Sequence, residues 1–98
     1  MSMHYILEDG RPVEAELLVW AKWFEEGERT VAKDEIGKVL VSTVFLGLDH
    51  SFGSGPPVLW ETMIFGGEHS DYQERYTSGD AAIEGHRRAV ELVKSPSP

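Results

Sequence analysis

The chain has 98 residues, a mass of 11.0 kDa and a formal net charge of −8, from 17 acidic and 9 basic residues. That length holds one domain and is too short for two cores. The acidic balance argues against general, sequence-independent DNA binding, because no excess of cations is present to release counterions, and leaves open an acidic surface that competes for a basic partner. The lack of cysteine excludes disulfides, thiol nucleophiles and cysteine-bound zinc.

No apolar run approaches the roughly 20 residues of a membrane helix. Met1–Gly10 lacks the basic and then apolar pattern of a secretory leader. The expectation is a soluble cytoplasmic domain over residues 1–94, with Ser95-Pro96-Ser97-Pro98 as a frayed tail.

Tyr5-Ile6-Leu7 reads as a short strand. Glu8-Asp9-Gly10 reads as the turn that ends it, because Asp-Gly tolerates positive φ. Pro12 suits either the exit of that turn or the start of a helix. The first helix is predicted from Val13 or Glu14 to Glu26, with Gly27 as its stop. Leu17, Trp20, Ala21 and Phe24 follow the i, i+3, i+4, i+7 rule and form the face expected to lie on a sheet. Leu18 widens that apolar arc on one side; Val19 and Trp23 widen it on the other. The surplus flank needs a covering loop or a partner.

Residues 29–65 read mainly as sheet. Arg29–Lys33 is a modest strand and Asp34–Lys38 a hairpin connection. Val39–Leu48 is the strongest strand, apolar on both faces and therefore central. Asp49–Pro57 is an irregular turn whose two prolines stiffen its exit. Val58–Phe65 is a second strong strand, ended by Gly66 and Gly67, with Tyr72–Tyr76 as a short strand beside it. Thr77-Ser78-Gly79-Asp80 has the Thr-x-x-Asp spacing of a weak capping box. It opens a helix to about Lys94 in which Ala82, Ile83, His86, Ala89, Val90 and Val93 share one face.

The order β-α-β-β-β-β-α predicts an α+β fold: a single antiparallel sheet of four to five strands with two helices packed on one face. The opposite face is then polar, covered by a loop or used at an interface. Trp20, Val44, Leu46, Trp60, Ile83 and Val90 are the expected core.

No strong catalytic motif is present. Gly47–Gly55 contains glycines, but neither the spacing and lysine of a Walker loop nor a dinucleotide fingerprint. Asp49 reads as a cap for turn N–H groups or as the acid of a ligand site. His50 has the titration range of a general base, with Ser51 and Ser54 nearby but no matched nucleophile. Glu61 interrupts an apolar strand, so it is expected to face solvent, to bond Thr43 or Ser42, or to serve as a binding-site acid.

His86, on the apolar helix face, reads first as a satisfied core histidine that needs a partner for a ring nitrogen. Its second reading is a ligand residue. The spacing of His50, His69, Asp71 and His86 makes no metal motif, so no metal or cofactor is expected. Trp20 and Trp60 belong with the core. Val19 and Trp23, on the shoulder of the first helix's stripe, are the expected protein interface. Aromatics also stack on bases, but Arg75, Arg87 and Arg88 are too few for the basic track such binding needs.

The run Trp20-Ala21-Lys22-Trp23-Phe24-Glu25, then Ser42-Thr43-Val44-Phe45-Leu46-Gly47-Leu48-Asp49-His50, then Gly55-Pro56-Pro57-Val58-Leu59-Trp60-Glu61-Thr62-Met63-Ile64-Phe65-Gly66-Gly67, resembles a group of small uncharacterised proteins encoded by tailed phages and prophages. The resemblance extends into Arg75-Tyr76 and Gly85-His86-Arg87-Arg88-Ala89-Val90. It implies a phage or prophage accessory gene acting in the bacterial cytoplasm and assigns no residue a catalytic role. The expected function is a non-enzymatic protein that binds and modulates a host or phage protein complex. Two other readings stay open: a small ligand-binding protein or hydrolase using Asp49, His50 and Glu61, and a structural homodimer.

Overall fold

A computed structural model describes residues 3–51 and 55–95. Phe52, Gly53 and Ser54 of the expected turn, and residues 96–98 of the expected tail, lie outside the described residues. In chain order the described elements are β1 (Tyr5–Glu8), β2 (Arg11–Glu14), α1 (Leu17–Glu26), β3 (Thr30–Ile36), β4 (Val39–Phe45), β5 (Trp60–Phe65), β6 (Gln73–Tyr76) and α2 (Gly79–Lys94).

The class is α+β, but the expected single sheet is two. β1 and β2 form a hairpin, and β3-β4-β5-β6 form an antiparallel meander. The strand missing from the expectation is β2. Asp9 (φ 51°) and Gly10 (φ 79°) supply a two-residue turn with both central residues at positive φ. That turn matches strand twist and sends Arg11–Glu14 straight back along β1. Val13 and Glu14 are therefore strand rather than helix, and α1 begins at Leu17. Gly27 ends it as expected, its N–H donating to the Trp23 carbonyl at 2.6 Å.

The second correction concerns α1, which packs against β1 and not across the four-stranded sheet. The tight hairpin takes the place beside the helix that the sheet was expected to fill. Trp23 reaches the main core, edge-on to Phe45 with ring centroids 5.7 Å apart. Trp20 sits instead beside His4 and Phe24, with both centroids at 4.8 Å. The hairpin is joined to the meander by the chain beyond β4. Tyr5 N–H donates to the Gly47 carbonyl at 2.8 Å, and Asp49 N–H donates to the Met3 carbonyl at 3.0 Å. His4 and Leu48 bridge between them.

β3 continues past Lys33 through Asp34-Glu35-Ile36, which read as part of the turn, because Gly37 and Lys38 alone close the hairpin with Ile36 opposite Val39. Its charged run suits an edge strand, where it discourages pairing with other chains. β4 and β5 are central, with Phe45 opposite Trp60, Thr43 opposite Thr62 and Val41 opposite Ile64.

α2 crosses all four strands of the meander. Ser78 caps it, its Oγ accepting from Ala81 N–H at 3.1 Å, so the cap lies one residue after the expected Thr77. Asp80 in the first turn and Lys94 in the last both complement the helix dipole. The buried face is Ala82, Gly85, His86 and Ala89, mostly small residues that let helix and sheet approach closely. Ile83 stands about 100° round the helix from Ala82 and is 58% exposed, which removes it from the expected core. Trp60 is buried as expected, whereas Trp20, Val44, Leu46 and Val90 are half-buried.

The core is consequently layered along the strands. Phe45, Leu59, Trp60, Tyr76 and Ala82 make one apolar cluster, and Val41, Ile64 and Ala89 make another. Thr43, Thr62 and His86 lie between them by strand and helix spacing, all three buried. The other face of the meander carries Leu40, Ser42 and Val44 of β4 with Glu61, Met63 and Phe65 of β5, and neither helix packs on it. Among the described residues no helix is long and apolar enough to cross a membrane.

Candidate functional site

The polar layer under α2 is one continuous hydrogen-bond chain. His86 Nε2 lies 2.7 Å from Asp34 Oδ2, and its Nδ1 lies 2.8 Å from Thr43 Oγ1. Thr43 Oγ1 lies 2.5 Å from Thr62 Oγ1, and the Tyr76 hydroxyl donates to Thr62 Oγ1 at 3.0 Å. One residue comes from each strand of the meander: Asp34 from β3, Thr43 from β4, Thr62 from β5 and Tyr76 from β6. His86 descends onto them from the helix.

The proton directions follow from the donors available. A carboxylate only accepts, so His86 Nε2–H donates to Asp34. With the imidazole in its neutral form, Nδ1 accepts and Thr43 donates there. Thr62 donates to Thr43, and Tyr76 donates to Thr62. Four protons serve four gaps, with no buried group left over. That matters because an unsatisfied buried hydroxyl or ring nitrogen costs about 1–3 kcal/mol.

Space for the Tyr76 end of the chain comes from Gly85. A Cβ at that position would collide with the Tyr76 hydroxyl and ring edge. Burial, above all, raises the Tyr76 phenol above its usual range. The two flanks of α2 are also tied down. His86 holds Asp34 at the β3 edge, and Arg88 donates to Glu74 at the β6 edge at 3.2 Å.

Asp34, His86 and Thr43 have the acid–base–hydroxyl order of a nucleophilic triad. Thr43 has no exposed surface, and its hydroxyl also bonds Thr62. No acyl or phosphoryl group reaches that oxygen, so the array acts as a lock between helix and sheet. Its exposed end is Asp34, whose side chain is 54% accessible.

The residues expected to form a ligand site are not brought together. Asp49 lies in the turn beyond β4, where its Oδ1 accepts from Ser51 N–H at 2.8 Å and from Val58 N–H at 2.9 Å. Those two bonds, Ser51 first, hold its carboxyl below the ordinary range. This is the turn-capping role. His50 continues the pairing of that stretch, its N–H donating to the Val58 carbonyl at 3.0 Å.

Glu61 alternates with Trp60 and Thr62 and so faces away from α2. It cannot meet Thr43, which lies on the covered face. Its Oε2 accepts instead from Gln73 Nε2 at 2.8 Å and from Arg75 Nε at 2.9 Å, which explains how a buried carboxylate is tolerated. Glu61 and His86 therefore occupy opposite faces of one sheet. Among the described residues no group of three His, Asp or Glu is placed to hold a metal. Surface grooves of about 370 Å3 beside Arg11 and Gly79 and about 300 Å3 beside His4 and Leu17 contain none of Asp49, His50, Glu61 or His86.

The expected interface residues divide. Trp23 is half-buried against Phe45, with Gly27 closing over its indole. Val19 is exposed, and so are its neighbours: Leu17 at 59%, Leu18 at 82% and Val19 at 52%. Leu18 is the strongest feature of the patch, and its place on the edge of the apolar arc was the available signal. Asp34, Thr43, Thr62 and Tyr76 were missed as a group. The signal for them was a threonine at the middle inward position of each central strand, opposite a histidine on the helix.

Comparison with protein-family models, with curated proteins and with solved structures finds no match to this chain in any of the three.

Proposed function

We propose that this chain is a non-enzymatic protein-binding module, a phage or prophage accessory protein that modulates a host or phage complex in the bacterial cytoplasm. The observation that carries the binding reading is the first turn of α1. Three consecutive apolar side chains, Leu17, Leu18 and Val19, stand more than half exposed on a helix that is packed on one side only. A helix apolar around so much of its circumference is ordinarily covered, and contiguous exposed apolar surface marks interaction sites. The phage setting rests on the sequence resemblance alone.

The hydrolase alternative has less support. Asp49 and Glu61 are engaged by turn amides and by Gln73 and Arg75, and His86 lies across the sheet from Glu61. The test is affinity capture from phage-infected bacterial lysate, followed by reconstitution with the purified captured protein. Leu18→Glu is expected to weaken the reconstituted complex at least about tenfold while leaving unfolding free energy unchanged, since truncated interface anchors cost about 2 kcal/mol or more. Equal binding by both forms refutes the assignment of this face.

A further inference from the structure

We infer that the partner of the α1 face is a protein surface with an apolar centre and a cationic rim; this rests on the interaction reading above. The rim of the patch is acidic at its N-terminal side, where Glu14 and Glu16 flank Leu17, and the helix beyond carries Lys22 one turn after Leu18 and then Glu25 and Glu26. From Glu14 to Glu28 the chain carries five carboxylates and one cation, Lys22. Glu14 and Glu16 line the groove of about 300 Å3 that runs beside Leu17. Glu25 and Glu26 close the other end of the helix. Among the described residues Glu16, Glu25 and Glu26 form no ion pair, although Lys22 stands within one turn of two of them.

Other occupants meet the same charges. A second copy of the chain brings an identical acidic rim and its own net charge of −8. Anionic bilayers and nucleic acids are repelled as well. A partner with Lys or Arg around an apolar knob satisfies both parts of the surface. Rim charges of this kind raise the rate of encounter and make it salt-dependent, while the apolar centre supplies the affinity.

The experiment uses two designed amphipathic helical peptides with the same leucine face, one with lysine and one with glutamate on the polar face. Each is titrated into the 15N-labelled chain. The lysine peptide is expected to shift the amides of residues 14–26, with affinity falling about tenfold or more between low and high salt. Leu18→Glu is expected to abolish those shifts in a chain that still gives a folded spectrum. Equal binding of the glutamate peptide overturns the cationic rim while leaving α1 as a docking face. Shifts confined to other elements, shifts that survive Leu18→Glu, or no shift with either peptide overturn both. A wild-type dimer by sedimentation that Leu18→Glu dissolves overturns the partner in favour of a second copy.

Discussion

The hydroxyl of Tyr76 stands where a Cβ on residue 85 would have to be, so β6 and α2 meet through the absence of a side chain. Glycine inside a helix costs about 1 kcal/mol relative to alanine, and here that cost accompanies the polar layer. Gly85→Ala is expected to destabilise the fold by about 2 kcal/mol, because overpacking outweighs the propensity gain. Urea denaturation measures it. In a Tyr76→Leu background, which removes the hydroxyl and the ring edge together, the added loss should be smaller, and equal losses in both backgrounds would refute the steric account.

The polar layer makes its own prediction. Thr43→Val removes the donor to His86 Nδ1 and the acceptor for Thr62 in one step. It should cost about 2–3 kcal/mol despite the close match in shape. Replacing Thr43 and Thr62 together by valine should cost less than the sum of the singles, since the bond between the two hydroxyls is already lost in either single. The proton order is read directly from the 15N spectrum of His86 at pH 8. A proton on Nε2 is expected, and a proton on Nδ1 contradicts the chain as drawn.

Asp49 links stability to acid pH. Its carboxyl is held low by the Ser51 and Val58 amides, so the unfolded chain takes up the proton first as pH falls. The contribution is present above the unfolded carboxylate value of about 3.9 and is lost as pH drops through the folded one. Asp49→Ala should cost about 1 kcal/mol at pH 7, solvent screening having reduced the charged hydrogen bonds. The gap between wild type and variant should narrow as pH falls below the unfolded carboxylate value; a gap that stays constant there counts against the capping role.

Alkaline pH acts in the opposite direction through the tyrosines. Burial raises the phenols of Tyr72 and Tyr76, Tyr72 further through its bond to Glu74. Their neutral forms persist in the fold after unfolded phenols ionise near pH 10. Stability should therefore decline as pH rises beyond that value. Absorbance at 295 nm is expected to show both phenols ionising together with loss of the far-ultraviolet helix signal, and ionisation with the helix intact contradicts it.

Trp23 and Leu18 lie on one helix and should behave oppositely. Trp23→Ala is expected to destabilise the monomer by about 2–3 kcal/mol, below the range for a fully buried tryptophan because the ring is only half-covered. Leu18→Glu should stay within about 0.5 kcal/mol of the parent. Chemical denaturation of both decides it, and a stability loss confined to Leu18→Glu reverses the assignment.

Much of the meander was legible because its rules are local. Asp9-Gly10, Gly27 and Lys94 are backbone and dipole signals that need no tertiary partner, and the cap of α2 was misplaced only from Ser78 to Thr77. What was hidden depends on chain returning from elsewhere. Arg11–Glu14 lacks strand character of its own and becomes β2 only by facing Tyr5–Glu8. Apolar spacing in α1 does not say whether a sheet or a hairpin receives it. His86 was placed on the correct helix face, yet its partner Asp34 sat in a stretch that read as a turn. Thr43 and Thr62 looked like ordinary strand residues until register set them opposite each other.

The bridge between His4 and Leu48 also makes the seating of the N-terminal segment dependent on the meander. The hairpin and α1 attach through Met3–Tyr5 to Gly47–Asp49, and that stretch is itself held by Val58 and Leu59. Until β4 and β5 have paired, the N-terminal segment has no template to bind. The hairpin pairs with itself, but its attachment to the rest of the fold depends on the pairing of β4 with β5. Leu17, Leu18 and Val19 are exposed in the completed fold, so the face they form is open to a partner whether or not the N-terminal segment has docked.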